Sequence, residues 1–134
     1  MKKLFSILAV TASLVYFSSC EKDEGKLPNI SFKTGSSYVS TNMTVKKDTV
    51  LNIGITASKA EDKDVLTTFT GTVSYASAAD STLVSESLSG SNANNYTKDI
   101  SIRTHNAAGT EKYTFTVVNK DGLKNSVTFT LTVN

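Results

Sequence analysis

Tyr113-Thr114-Phe115-Thr116-Val117 and Val127-Thr128-Phe129-Thr130-Leu131-Thr132-Val133 decide the fold of this chain. In both stretches apolar and hydroxyl side chains alternate without a break, the period-two pattern of a strand with one buried face. Between them lies Asn119-Lys120-Asp121-Gly122, whose Asp-Gly pair supplies the positive φ of a tight hairpin. A slip of one residue would turn every apolar side chain toward water, so the register should be firm.

The same rule extends toward the N-terminus. Leu51, Ile53, Ile55 and Ala57 alternate with Asn52, Gly54, Thr56 and Ser58; Phe69, Gly71, Val73 and Tyr75 alternate with Thr68, Thr70, Thr72 and Ser74. Tyr96, Ile100 and Ile102 share a phase that Lys98 interrupts, Ile30 and Phe32 suit a first strand, and Leu83 to Leu88 suits a weaker one at an edge. Ser89 to Asn95, rich in Ser, Gly and Asn, reads as a loop. No comparable run has a 3.6-residue period, and the abundance of Thr, Val and Ile favours strands. About seven short strands with turn signals between them predict an all-β protein, an antiparallel sandwich that folds without disulfides or metal.

Gly109-Thr110-Glu111-Lys112-Tyr113-Thr114-Phe115-Thr116-Val117, followed by Asp121-Gly122, resembles the closing hairpin of bacterial immunoglobulin-like (Ig-like) domains of the polycystic-kidney-disease and cadherin-like kind. The resemblance implies an Ig-like sandwich. It also implies a tyrosine-corner role for Tyr113, with its hydroxyl bonded to backbone upstream.

The other end of the chain sets an address. Met1-Lys2-Lys3 is basic, Leu4 to Phe17 carries no charge, and Ser18-Ser19 precede Cys20: the head, body and exit of a secretory signal peptide. The apolar run is shorter than the roughly 20 residues a membrane-spanning helix needs. Phe17-Ser18-Ser19-Cys20 resembles the lipobox of bacterial lipoproteins. That likeness implies cleavage after residue 19, a diacylglyceryl thioether on Cys20, and N-acylation by a fatty acid of the palmitate kind. Several chains on one residue anchor durably, where one holds marginally. Cys20 is the only cysteine, so no intramolecular disulfide can form. Lys22-Asp23-Glu24 resembles the Lys-acidic-acidic signal that directs lipoproteins of some Gram-negative bacteria to the outer face of the outer membrane. The expected organisation is a signal peptide at 1–19, a lipidated tether at 20–29 and the sandwich at 30–134.

Two of the 14 basic residues leave with the signal, so the mature chain balances its 12 acidic ones. That balance excludes nucleic acid, whose phosphates call for a basic footprint, and leaves the lipid anchor as the expected membrane contact. His105, the only histidine, sits in an expected loop without a Gly-x-Ser-x-Gly elbow to present a serine, and one histidine is too few ligands for zinc. Glu61-Asp62-Lys63-Asp64 gathers carboxylates but lacks calcium-loop spacing, so a solvated turn is expected. No metal or cofactor is expected, and the chain is expected not to be an enzyme. Tyr38, Tyr75 and Tyr96 are candidates for stacking on sugar rings, although the inward phase of Tyr75 and Tyr96 favours core packing. Asp48-Thr49-Val50 and Asp80-Ser81-Thr82 resemble acceptors for O-glycosylation in the same bacterial group, which marks Thr49 and Ser81. The expected function is a non-enzymatic cell-surface module for adhesion, interaction or assembly. The alternative is a glycan-binding accessory lipoprotein of an outer-membrane uptake system.

Overall fold

The computed structural model describes residues 24–134. The expected signal peptide and the expected site residues Cys20, Lys22 and Asp23 lie outside them. Among the described residues the chain forms eight strands: β1 (Asn29–Phe32), β2 (Met43–Val45), β3 (Val50–Ser58), β4 (Leu66–Tyr75), β5 (Ser81–Ser87), β6 (Asn95–Arg103), β7 (Gly109–Asn119) and β8 (Lys124–Val133). They make a three-stranded sheet, β1-β3-β6, and a five-stranded sheet, β2-β8-β7-β4-β5. The all-β expectation holds, and β7 and β8 pair antiparallel from Gly109↔Val133 to Val118↔Lys124.

Two details differ from the expectation. Three residues are too few to leave an alternation signature, so β2 was not foreseen, and it pairs parallel to β8 rather than antiparallel. Lys98 does not interrupt its strand: it is half-buried in the same phase as Tyr96 and Ile102. Its ammonium donates to Glu86 on β5, whose second oxygen accepts from the Tyr96 hydroxyl at 2.7 Å. Since β5 and β6 are outer strands of different sheets, this cluster latches the sheets together along one side. The Lys98 ammonium and then the Tyr96 phenol hold the Glu86 carboxyl below its ordinary range. Inward charges on outer strands also discourage edge-to-edge pairing with other chains. A register shift at Gly71/Thr72, which leaves Leu83 unpaired on β5, adds to that protection.

The inward rows pack as their alternation requires. Ile53, Ile55, Phe69, Phe115, Phe129 and Leu131 are at most 1% exposed. Phe32 meets the rings of Phe115 and Phe129 edge-on, at 6.1 and 5.5 Å between centroids. Burial of each such side chain stabilises by about 1.5–3 kcal/mol.

Strand pairing sorts the connections onto two poles. Ser58↔Asn95 and Leu66↔Asn119 place the β3–β4 loop, the 3-10 turn at Gly90–Ala93 and the β7–β8 hairpin at one end. The first described residues join them: the Lys26 carbonyl accepts from Asn119 Nδ2 at 3.2 Å, and that of Pro28 from Asn125 Nδ2 at 2.9 Å. This end is the N-terminal pole. Val50↔Arg103 and Tyr75↔Glu111 place the turns before β3 and after β4, and the β6–β7 loop, at the far pole.

Candidate functional site

At the far pole β4 delivers Tyr75 beside Glu111 of β7, and the end of β6 delivers His105. The Tyr75 and His105 rings meet edge-on, with centroids 4.1 Å apart. Glu111 is 2% exposed because it continues the inward row of Tyr113, Phe115 and Val117 to the rim. A carboxylate so placed needs donors, and it has two. The main-chain amide of His105 donates to Oε1 at 2.6 Å and the Tyr113 hydroxyl to Oε2. Burial, then the Glu111 charge, push the Tyr113 phenol far above its ordinary value, which keeps it a donor. Burial and the same charge also raise Tyr75.

Tyr113 therefore departs from the tyrosine-corner expectation. Its hydroxyl reaches the β6–β7 loop through a carboxylate, because Glu111 occupies the rim between hydroxyl and backbone. The carboxylate grips the main chain of His105 and not its ring, so the pair lacks the carboxylate–imidazole bond of a catalytic triad.

Tyr75, Ala76, His105, Ala107, Ala108, Gly109, Thr110 and Glu111 line a hollow of about 230 Å³ at this pole. One wall is a turn with both central residues in the left-handed region, Ala76 at φ 47° and Ser77 at φ 65°. The Tyr75 carbonyl accepts from the Ala78 amide at 2.8 Å across it, and the Ala76 amide bonds the Thr110 carbonyl at 2.9 Å. Backbone held in that region without glycine stores strain, a feature that gathers at functional sites.

A second, larger hollow of about 620 Å³ lies against β1, β3 and β6 and includes Asn29, Ser31, Thr56, Ser58, Asn95 and Thr97 in its lining. None of these side chains carries a charge.

The remaining sequence candidates are dispersed. Glu24 is exposed. Thr49 is half-buried in the turn before β3, its hydroxyl donating to the Lys46 carbonyl at 2.7 Å, while Ser81 stands exposed at the start of β5. Both flank the far pole. The expected solvated turn at Glu61 to Asp64 needs correction at its last residue, for Asp64 is 1% exposed. Its Oδ2 accepts from Asn119 Nδ2 at 2.6 Å and its Oδ1 from the Val65 amide at 2.8 Å. Among the described residues no three His, Cys, Asp or Glu side chains gather as a metal site would require. None of the helices among them is long and apolar enough to cross a membrane. Tyr96 and Tyr113 are buried, while Tyr38 and Tyr75 are half-buried on separate parts of the surface. The signals that were missed are polar: Glu111 and Asn119 sit in phase with the apolar row of β7.

No family model matches the chain, and a search of the curated proteins finds no match either. Solved structures do match. Among them is "Superoxide reductase (Neelaredoxin) from Ignicoccus hospitalis", with a TM-score of 0.55 and 9% sequence identity over 81% of each chain. At that identity the likeness shows a shared fold alone. It nevertheless overturns the expectation, drawn from the missing catalytic motifs, that the chain is not an enzyme: a chain named as a reductase shares this fold.

Proposed function

We propose that the chain is a lipid-anchored module of the bacterial outer surface, an Ig-like sandwich held by Cys20 that offers its far pole to partners in adhesion or assembly. The strand order supports the Ig-like reading. β1, β3 and β6 correspond to the first, second and fifth strands of that fold, β4, β7 and β8 to its other sheet, and β2 joins that sheet beside β8.

The observation that carries the functional reading is the polarity of the molecule. The chain enters at the N-terminal pole, where Lys26 and Pro28 are tied down, and Cys20 precedes the first described residue by a short stretch. An anchor there directs the opposite pole outward, about 35 Å away along the 11 residues of β7. The hollow beside Tyr75 and His105 then faces the surroundings, together with Ser81.

The test uses intact cells. A fatty-acid probe should label the wild type and not Cys20→Ala. A membrane-impermeant maleimide should label Ala107→Cys at the far pole, and lose that access when Lys22, Asp23 and Glu24 are all replaced by Ala. Persistent lipid labelling and membrane retention in Cys20→Ala would sink the anchor, and no labelling of Ala107→Cys until cells are opened would sink surface display.

A second reading is glycan binding, favoured by the uncharged hollow on the three-stranded sheet.

A further inference from the structure

We propose that the outward face of β1, β3 and β6 binds an uncharged glycan chain on two rungs of hydroxyl and amide side chains. This rests on the second reading above and gives it a place and a ligand class. Register aligns Asn29, Ser58 and Asn95 in one rung and Ser31, Thr56 and Thr97 in the next. Neighbours within a rung stand about 4.8 Å apart and the rungs about 6.7 Å, as strand spacing and alternation dictate. The hollow over them, about 620 Å³, falls within the size range of small-molecule sites.

The chemistry of these six positions narrows the ligand. Hydroxyl and amide side chains both donate and accept hydrogen bonds, and so do sugar hydroxyls. An anionic ligand would call for cations, which neither rung contains. The rungs are partly preorganised: Ser31 Oγ and Thr56 Oγ1 share a hydrogen bond of 2.8 Å, and Asn29 Nδ2 donates to Ser58 Oγ at 3.3 Å. Fixing side chains before binding lowers the entropic cost of recognition.

A ledge closes the row on the far-pole side. Gly54 faces Asp99 across the β3–β6 pair, and a Cβ on Gly54 would lie 2.6 Å from Lys33 Cδ. The missing side chain lets Lys33 cross β3 and donate from Nζ to Asp99 Oδ1 at 2.6 Å. The Tyr38 hydroxyl donates to Asp99 Oδ2 at 3.1 Å, and the Asp99 side chain stays 56% exposed. The Lys33 ammonium, bonded to Asp99, keeps that carboxyl ionised below its ordinary range. The ledge thus offers carboxylate oxygens to vicinal sugar hydroxyls, while Lys33 cancels the charge.

Affinity electrophoresis of the purified full-length protein, in native gels containing xylan, mannan, dextran or polygalacturonate, tests the site. At least one neutral polymer should retard the wild type. Thr56→Val/Thr97→Val and, separately, Asn95→Ala should weaken that retardation by at least about tenfold, the loss of one good hydrogen bond or more. Their urea midpoints should match the wild type, and Thr70→Val/Thr114→Val on the other sheet should bind normally. Retardation that survives both sheet variants overturns the site and leaves glycan binding standing. No retardation in any of the four gels overturns both, and retardation by polygalacturonate alone overturns the uncharged class.

Discussion

The two poles of the sandwich are closed by a similar device made of different parts. Each ends the inward row of β7 with a polar residue, Asn119 at the N-terminal pole and Glu111 at the far pole, both 2% exposed. Asn119 uses its whole carboxamide. Nδ2 donates to Asp64 Oδ2 and the Lys26 carbonyl, and Oδ1 accepts from the Asp121 and Leu123 amides at 3.1 and 2.8 Å. Glu111 holds one backbone amide and one hydroxyl, beside a hollow and a strained turn. The contrast is one of constraint, between a fully bonded pole where the chain enters and a pole that keeps space and strain.

The sharpest test is a pair of isosteric substitutions. In Asp64→Asn the new amide must place its NH₂ against either the Val65 amide or Asn119 Nδ2. Both are obligate donors, and Asn119 cannot flip without breaking its bonds to Asp121 and Leu123. A buried donor is left unpaired, at a cost of about 2–3 kcal/mol. In Glu111→Gln the carbonyl keeps the His105 amide and the NH₂ meets the Tyr113 oxygen, which can rotate its proton away and accept. That change should cost about 1 kcal/mol. Urea unfolding of both variants measures the difference, and equal costs would dissolve the contrast between the poles.

How much of this was legible in the sequence follows from what alternation can and cannot say. Period two located β3, β4, β6, β7 and β8 because each buries one face. It also covers Glu111 and Asn119, which an inward row marked by apolar residues alone does not reveal. A rim position still points inward, and there a polar group can satisfy loop backbone. Lys98 looks like an interruption in the sequence for the same reason, its partner Glu86 being on another strand. Asp64 was out of reach, since its partner lies 55 residues away. The outward hydroxyls of β1, β3 and β6 could be named from sequence, but their alignment into rungs depends on strand neighbours that alternation leaves open. His105 was singled out, but Tyr75 joins it only through the pairing of β4 with β7.

The smaller effects come from the turns. At the N-terminal pole the β7–β8 loop places Gly122 at φ 79°, with nothing within 4 Å of where a Cβ would stand. Gly122→Ala meets no clash and should lose about 1 kcal/mol from the left-handed backbone alone.

The far pole should show the opposite sign. Ser77 occupies φ 65° in the Tyr75–Ala78 turn that opens the β4–β5 connection, a left-handed position that favours Gly or Asn. Ser77→Gly removes a strain of about 1–3 kcal/mol. It adds the flexibility of glycine to the unfolded chain, which offsets roughly 0.5–1 kcal/mol of that relief. The net expectation is a gain of about 1 kcal/mol, read as a higher urea midpoint with an unchanged slope. Ser77→Ala keeps the strain and serves as the control. A loss of stability in Ser77→Gly would mean that the turn is relaxed with serine in place, and the far pole would then differ from the other only in its hollow and its carboxylate.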